Sequence, residues 1–171
     1  MILSKNEITE LMRTDPSLVE DMIDPETQIQ VNGCELTVDR VFEFAGRGSI
    51  AFENSERVLA ECTELSFDED GGDGWIDLPA GSYKIVSGEI VHIPKDMIAI
   101  ARPRSSLLRC GASVETAVWD AGYEGRSECL LIVFNKHGFR LKKGARVLQL
   151  LFLRLESGTE GYRGAYQGYL G

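Results

Sequence analysis

The chain lacks the features that mark membrane and exported proteins. None of its apolar runs reaches the roughly 18 residues that a membrane-spanning helix needs. The N-terminus, MILSKNEITELM, has neither a basic start nor a long apolar stretch, so it predicts no signal peptide. We therefore expect a cytoplasmic protein with no membrane partner.

Cysteine and histidine are both scarce and scattered. The chain has four cysteines at long, irregular intervals and two isolated histidines: Cys34, Cys62, Cys110, Cys129, His92 and His137. Without a CxxC pair or a histidine close to a cysteine, the pattern argues against a zinc site and against a disulfide framework. We expect the thiols to be buried and reduced.

Positive charge is also in short supply. The 171 residues include 18 Lys and Arg against 27 Asp and Glu, which gives a formal net charge of −9. Nucleic-acid binding relies on a positive field, so this balance argues against a DNA or RNA partner. An anionic small molecule would have to be bound by local groups against the overall field.

The N-terminal part of the chain reads as helical. Residues 4–24 are predicted to form one helix or two pieces, because Ser4 followed by Glu7 is a capping-box pattern and apolar residues then recur on one face. Pro16 predicts either a break or the start of a second short helix.

From Gln28 onward the apolar pattern has a period of two, which predicts strands. The strand segments are TQIQV, ELTVDRVFEF, SIAF, WIDL, SYKIV, EIVHIP, MIAIARP, ECLLIVFN, FRL and ARVLQLLFLRLE. Turn signals such as PAG, PKD and KKG separate them. Many short strands with close turns predict an all-β sandwich, jelly roll or barrel.

Two short segments interrupt this pattern. The acidic run DEDGGDG at 68–74 lacks the glycine and glutamate positions of an EF-hand, so we interpret it as a solvated hairpin tip. The segment SSLLRCG at 105–111 is predicted to be a short helix that Gly111 closes.

The block PRSSLLRCG contains a possible anion site. A helical turn that starts at Ser105 and Ser106 offers unpaired backbone N–H groups and two hydroxyls, which suit a phosphate. The guanidinium of Arg104 matches phosphate geometry. The alternative is a capped turn that carries a surface arginine.

The block TAVWDAGYEGRSE raises a second possibility. Asp120 follows an apolar run directly, and a carboxylate fixed near a bound phosphate is suited to activate a water as general base. Gly122 and Gly125 would let backbone approach a ligand closely, and Tyr123 offers a flat face for a sugar or base. The alternative is an acid that satisfies turn amides.

Two further places could bind a ligand. Gln149 lies between leucines in the strand RVLQLLF, so its side chain points to the opposite face, toward a ligand or solvent. The glycine-rich tail contains Arg163, Tyr166 and Gln167, which offer a charge, a stacking ring and an amide.

Taken in order, the blocks PRSSLLRCG, TAVWDAGYEGRSE and GARVLQLLF resemble those of the dUTPase and dCTP deaminase superfamily. The likeness runs from about Gln28 to the C-terminus, and its spacing is most similar to that of archaeal-type dUTP diphosphatases. The resemblance implies an all-β, distorted jelly-roll β-barrel, which we place at 27–157. The residue patterns add a helical segment at 1–26 before it and a flexible, glycine-rich tail at 158–171 after it. It also implies a homotrimer with active sites between subunits, and hydrolysis of dUTP to dUMP and pyrophosphate, with Mg²⁺ carried on the triphosphate.

The resemblance also implies roles for individual residues. Asp120 would orient and deprotonate the attacking water, and Tyr123 would pack against the deoxyribose. The tail would close over the nucleotide. The substrate-binding set implied in this way is Arg104, Ser105, Ser106, Arg109, Tyr123, Gln149, Arg163, Tyr166 and Gln167.

Two departures from the family pattern bear on the reaction. Glu35 stands where the family usually has aspartate, and we expect it to orient water around a magnesium ion. Deaminases of the superfamily rely on a glutamate three residues before an asparagine, and that place holds Ile132, with Glu128 too close to Gly125 to replace it. The alternatives are a dCTP deaminase, a bifunctional enzyme and a nucleotide-binding protein without catalysis.

Overall fold

The computed structural model describes residues 1–68 and 73–170. Within these ranges the α-helices are α1 (Lys5–Leu11), α2 (Pro25–Gln28) and α3 (Ser105–Arg109), with one 3₁₀ turn at Asn54–Glu56. The strands are β1 (Val19–Glu20), β2 (Ile29–Gln30), β3 (Gly33–Phe44), β4 (Cys62–Leu65), β5 (Trp75–Leu78), β6 (Gly81–His92), β7 (Met97–Pro103), β8 (Ala112–Glu115), β9 (Glu124–Val133), β10 (Phe139–Lys142) and β11 (Arg146–Arg154). No helix in these ranges is long and apolar enough to cross a membrane.

The main sheet curls until its two ends meet. Its strands follow the order β7-β11-β3-β6-β9-β8, and β1, β2 and β4 pair along its edges. Beyond β8 the chain returns to β7, where Trp119 and Ala99 exchange two backbone hydrogen bonds of 2.9 and 3.0 Å. The prediction of an all-β, barrel-like fold is therefore confirmed.

The side chains of strand β11 alternate between the buried core of the barrel and its outer face. Leu148, Leu150 and Phe152 point inward and are at most 2% exposed, while Gln149 and Leu151 lie on the opposite face. Each buried side chain of this kind contributes about 1.5–3 kcal/mol to stability. The period of two thus fixes Gln149 outside the core, as its sequence context predicts.

The N-terminal segment is less helical than predicted. The capping box of Ser4 and Glu7 is present, but α1 ends at Leu11. The chain then turns back, and Val19 pairs with Val91 at the edge of β6. The prediction of helix through residue 24 is wrong, because pairing with the barrel edge outweighs the local pattern.

The thiols and the loop before β4 differ from the predictions too. All four cysteines are free, and Cys34 and Cys129 are buried as predicted, but Cys62 is half-buried and Cys110 is exposed. The predicted strand SIAF is a loop with a single bridge between Ser49 and Val58, and Phe52 in it is 98% exposed. Of the acidic run at 68–74, residues 69–72 lie outside the described ranges.

Candidate active site

Backbone contacts fix the loop that carries Asp120. Gly122 donates its N–H to the Ile93 carbonyl, and the Tyr123 N–H donates to the carbonyl of Asp120 itself. Trp119 is 6% exposed, and its indole N–H donates to the Ser127 hydroxyl at 2.7 Å. The apolar run before the acid therefore anchors the loop in the barrel wall.

Asp120 opens into a pocket of about 430 Å³. The pocket is lined by the loop, by the pocket-facing side of β9 and by three tyrosines of the tail: Ala117, Val118, Trp119, Asp120, Tyr123, Arg126, Ser127, Glu128, Tyr162, Tyr166 and Tyr169. The Asp120 side chain is exposed, and among residues 1–68 and 73–170 its carboxylate has no hydrogen-bond or ion-pair partner. A free carboxylate in an aromatic pocket is able to accept a proton from a bound water.

A second acid, Glu128, lies in the same pocket. Its Oε1 atom accepts hydrogen bonds from the Lys84 ammonium and from the Tyr169 hydroxyl, both at 2.7 Å. Burial and this hydrogen bond raise the pKa of Tyr169 to about 12. Glu128 thus has two partners, whereas Asp120 has none among the described residues.

Tyr123 offers its ring rather than its hydroxyl. The hydroxyl donates to the Arg126 carbonyl at 2.8 Å, and burial raises the pKa of the phenol to about 12. The ring meets Tyr162 edge-to-face, with centroids 5.6 Å apart. Tyr123 can therefore supply a packing surface, while its proton stays in place at neutral pH.

The tail lies against the Asp120 pocket of its own chain. The Arg126 N–H donates to the Tyr169 carbonyl, and the Gln167 amide bridges the Glu124 N–H and the Gly122 carbonyl. Gly122 has a φ of +79°, and a Cβ there would lie 2.9 Å from Gly161 Cα, so the close approach of loop and tail needs glycine.

Two tail residues differ in how they relate to the pocket. Tyr166 lines it, and the Arg57 guanidinium lies 5.5 Å from the centre of its ring. Arg163 pairs only with Glu160 at 3.4 Å among the described residues, and it does not line the pocket.

A second pocket, of about 340 Å³, lies across the sheet at β3, β11 and β7. It is lined by Glu35, Arg102, Pro103, Arg104, Ser105, Gln149 and Leu151. Gln149 pairs with Glu35 on one side and with Arg102 on the other, so the three side chains form a row across the strands. Of the remaining predicted phosphate residues, Ser106 and Arg109 are exposed on α3 but do not line this pocket.

Glu35 links Arg104, which lines the second pocket, to Arg146, which lies beside the pocket. Its Oε1 accepts a 2.6 Å hydrogen bond from Arg104 Nε, and its Oε2 accepts a 2.8 Å hydrogen bond from Arg146 Nη1. The carboxylate is 7% exposed. Two arginines, Arg102 and Arg104, line the pocket against Glu35, the one acid in the described lining, which leaves local positive charge in a chain of net charge −9.

The two pockets share no lining residue and lie well apart on one chain. The antiparallel bridge of Trp119 to Ala99 puts Asp120 beside Ile98. Arg104 follows six residues later along β7, about 20 Å away at about 3.3 Å per residue. One chain therefore does not bring the predicted general base and the predicted phosphate ligands together.

The described residues offer no cage for a metal ion. Residues 1–68 and 73–170 contain no group of three or more His, Cys, Asp or Glu side chains suited to hold one. Glu35 has both carboxylate oxygens in hydrogen bonds with guanidinium groups. The role of Glu35 toward magnesium stays a prediction. The described residues do not fit a metal ion that is held by protein ligands.

Comparison with known proteins identifies the family. Residues 2–155 match the family model described as dCTP deaminase-like. The chain belongs to this family. The family membership predicted from the three sequence blocks is thereby confirmed.

Sequence relatives cover almost the whole chain. The probable deoxyuridine 5'-triphosphate nucleotidohydrolase of Methanosarcina mazei is 53% identical over 167 residues, which cover 97% of this chain and 96% of the relative. The protein of the same name from Archaeoglobus fulgidus is 47% identical over 167 residues, with 98% and 96% covered.

A solved structure supports the fold. The crystal structure of 2'-deoxycytidine 5'-triphosphate deaminase from Agrobacterium tumefaciens matches with a TM-score of 0.66 and 22% identity. The match covers 88% of this chain but only 47% of that chain. At this identity the likeness concerns the fold alone.

Sequence reasoning missed several residues in or beside the two pockets. Arg146 stands three residues before Gln149, but only the bulge between β11 and β3 shows that it reaches Glu35. Arg102 could have been predicted from the sequence, since the period of two in a strand puts it on the same face as Arg104. Lys84 could not, because its contact with Glu128, 44 residues away in the chain, depends on the pairing of two strands.

Proposed function

We propose that the chain is a dUTP diphosphatase that hydrolyses dUTP to dUMP and pyrophosphate. The observation that carries the proposal is the Asp120 carboxylate, which has no partner among residues 1–68 and 73–170 and opens into a pocket with a flat tyrosine face. The names of the relatives, which are about half identical over nearly full length, support the substrate.

In the proposed reaction Asp120 acts as general base. It accepts a proton from a water whose oxygen attacks the α-phosphorus, the bond from that phosphorus to the bridging oxygen breaks, and pyrophosphate leaves with the electron pair. Tyr123 would pack against the deoxyribose. The tail residues Tyr166 and Gln167 would cover the nucleotide, with Arg163 near the phosphates.

The second pocket would hold the phosphates. Arg104, Ser105 and Gln149 present a guanidinium, a hydroxyl and an amide to the same cavity, which suits an anion with several oxygens. Ser106 and Arg109 on α3 would add contacts from its rim. We propose that Mg²⁺ reaches the site only with the triphosphate, as part of the substrate.

The distance between the two pockets supports an assembly of several copies. About 20 Å separates Asp120 from Arg104 along β7, farther than one triphosphate group bridges. We therefore propose a homotrimer in which the Asp120 pocket of one copy faces the Arg104 pocket of another, with cytoplasmic residence and no nucleic-acid or membrane partner.

Glu128 favours deamination of dCTP as the second candidate function. It is an acid of β9, it lines the same pocket as Asp120, and the family model is named for dCTP deaminases. Ile132, at the place predicted from the spacing, offers no proton. A protein that binds nucleotides without catalysis is a weaker candidate, since the Asp120 carboxylate is accessible.

Product analysis tests the proposal. The purified chain is incubated with Mg²⁺ and either dUTP or dCTP, and the nucleotides are separated by ion-exchange chromatography. We expect dUMP and pyrophosphate from dUTP, with dCTP unchanged. Formation of dUTP or dUMP from dCTP would establish deamination and make Glu128→Gln the next variant. Binding of dUTP without turnover would contradict the proposal.

A further inference from the structure

Glu35 lines the second pocket, with its side chain 7% exposed. Both of its oxygens accept short hydrogen bonds, from Arg104 at 2.6 Å and from Arg146 at 2.8 Å. The Arg146 Nη1 atom also donates to the Thr27 carbonyl, and Arg104 Nη1 donates to the Arg146 carbonyl at 3.3 Å. Glu35 therefore holds two guanidinium groups in one rigid cluster.

These contacts are hard to combine with a magnesium ion. A water-bound Mg²⁺ needs carboxylate lone pairs that face the ion, and Glu35 is 7% exposed with both oxygens engaged by cations. A divalent cation at Glu35 would also lie beside two guanidinium charges, which repel it. A negative phosphate group is what this surplus of positive charge attracts.

The hydrogen bond to Glu35 also fixes the orientation of the Arg104 guanidinium group. Because Nε is bound to Glu35 and Nη1 to the Arg146 carbonyl, the guanidinium plane is fixed, and Nη2 has no hydrogen-bond partner among the described residues. Arg104 lines the pocket together with Ser105 and Gln149. An arginine held in place before binding loses less side-chain entropy when a phosphate arrives.

We propose that Glu35 is a positioning residue that orients Arg104 for the nucleotide phosphates, and that it does not ligate magnesium. This inference rests on the proposed function, because it assumes that the second pocket binds the phosphates of dUTP. The proposed role also explains why a glutamate stands where the family usually has aspartate. The longer Glu35 side chain reaches both Arg104 and Arg146.

The test is binding of the non-hydrolysable α,β-imido analogue of dUTP, measured by calorimetry with Mg²⁺ and again in EDTA. We expect Glu35→Gln to weaken binding by about tenfold or more in both buffers, because it removes one charge-assisted hydrogen bond to a guanidinium. In steady state the loss should appear in KM, and the Mg²⁺ concentration for half-maximal rate should change less than about twofold.

Two further variants keep the test independent of folding defects. Glu35→Asp keeps the charge but draws the carboxylate back by about 1.5 Å, so we expect it to weaken binding in EDTA as well. Arg104→Met should weaken binding by about tenfold or more, and adding Glu35→Gln to it should cost less than about twofold more. Thermal unfolding of each variant shows that it is folded.

Three results would overturn the inference. The first is a Glu35→Gln chain that binds like wild type in EDTA and loses affinity only with Mg²⁺, since that pattern belongs to a metal ligand. The second is a double variant whose loss of binding free energy equals the sum of the losses of Glu35→Gln and Arg104→Met alone. The third, a wild-type chain that fails to bind the analogue at all, would overturn the proposed function as well.

Discussion

The two pockets of the chain use acids in opposite ways. The Asp120 pocket has two acids: Glu128 is paired with Lys84, whereas Asp120 is exposed, lacks an ion-pair partner among the described residues and shares its pocket with tyrosine rings. In the Arg104 pocket the acid is Glu35, which is buried and bound by two guanidinium groups. The difference indicates two roles: the Asp120 carboxylate is free to accept a proton, and the Glu35 carboxylate holds arginine side chains in place.

The pockets also differ in what encloses them. The tail of the same chain lies over the Asp120 pocket and contributes three tyrosines to it. The lining of the Arg104 pocket comes from β3, β7, β11, Arg104 itself and the first residue of α3, and none of the tail residues 158–170 contributes to it. Changes in the first pocket should therefore affect chemistry and tail position, and changes in the second should affect phosphate binding.

The largest expected effect is from Asp120→Asn. It keeps the shape of the side chain but removes the base, so we expect kcat to fall by about a thousandfold, within the usual range for a lost general base. Affinity for the imido analogue should stay within about threefold of wild type, as measured by calorimetry. Normal turnover by this variant would refute the assigned role of Asp120.

A medium effect is expected from Gly122→Ala. An added Cβ would lie 2.9 Å from Gly161 Cα, so the tail must move away from the pocket. We expect kcat/KM to fall about thirtyfold and protease cleavage of the tail to become faster, because the strained residue and the clash together cost about 2 kcal/mol.

Gly168→Ala is the matched control for that change. Gly168 also has a positive φ, of +71°, but beyond its immediate chain neighbours no atom lies within 4 Å of the place that a Cβ would take. It should therefore show backbone strain without a clash, and a smaller loss of kcat/KM than Gly122→Ala. Equal losses in the two variants would mean that the contact between loop and tail has no role.

The smallest effect is expected from Tyr169→Phe. This change removes the hydrogen bond from the tail to Glu128, so we expect KM for dUTP to rise by about threefold and tail cleavage to quicken. Tyr83→Phe is the control, since its hydroxyl bonds the Pro79 carbonyl elsewhere in the barrel. If protease cleaved the tail equally slowly in both variants, the hydrogen bond between Tyr169 and Glu128 would have no role in holding the tail.

Local sequence signals predicted the parts of the molecule that depend on local physics. The short helix that Gly111 closes, the outward direction of Gln149 and the strand pattern of the barrel all follow from neighbours in the chain. The placement of Asp120 in a loop anchored by the buried Trp119 follows in the same way.

What could not be predicted depends on contacts between distant segments. The pairing of Val19 with Val91 replaced the expected helix, and the arginines around Glu35 come together only when β3, β7 and β11 lie side by side. The separation of the two pockets is likewise a property of strand order, which single-sequence patterns do not encode.

The most direct test of the divided site is to mix two impaired variants. Asp120→Asn removes the base of one pocket, and Arg104→Met removes the phosphate-binding guanidinium of the other. They are unfolded together, refolded at equal concentrations and assayed for dUMP formation at a dUTP concentration well below KM, where Arg104→Met alone should keep about a tenth of wild-type activity or less. If each active site combines the pockets of two copies, about a quarter of the sites regain both intact pockets, and activity returns to about a quarter of wild type. A mixture that stays as inactive as its components would contradict a site shared between copies.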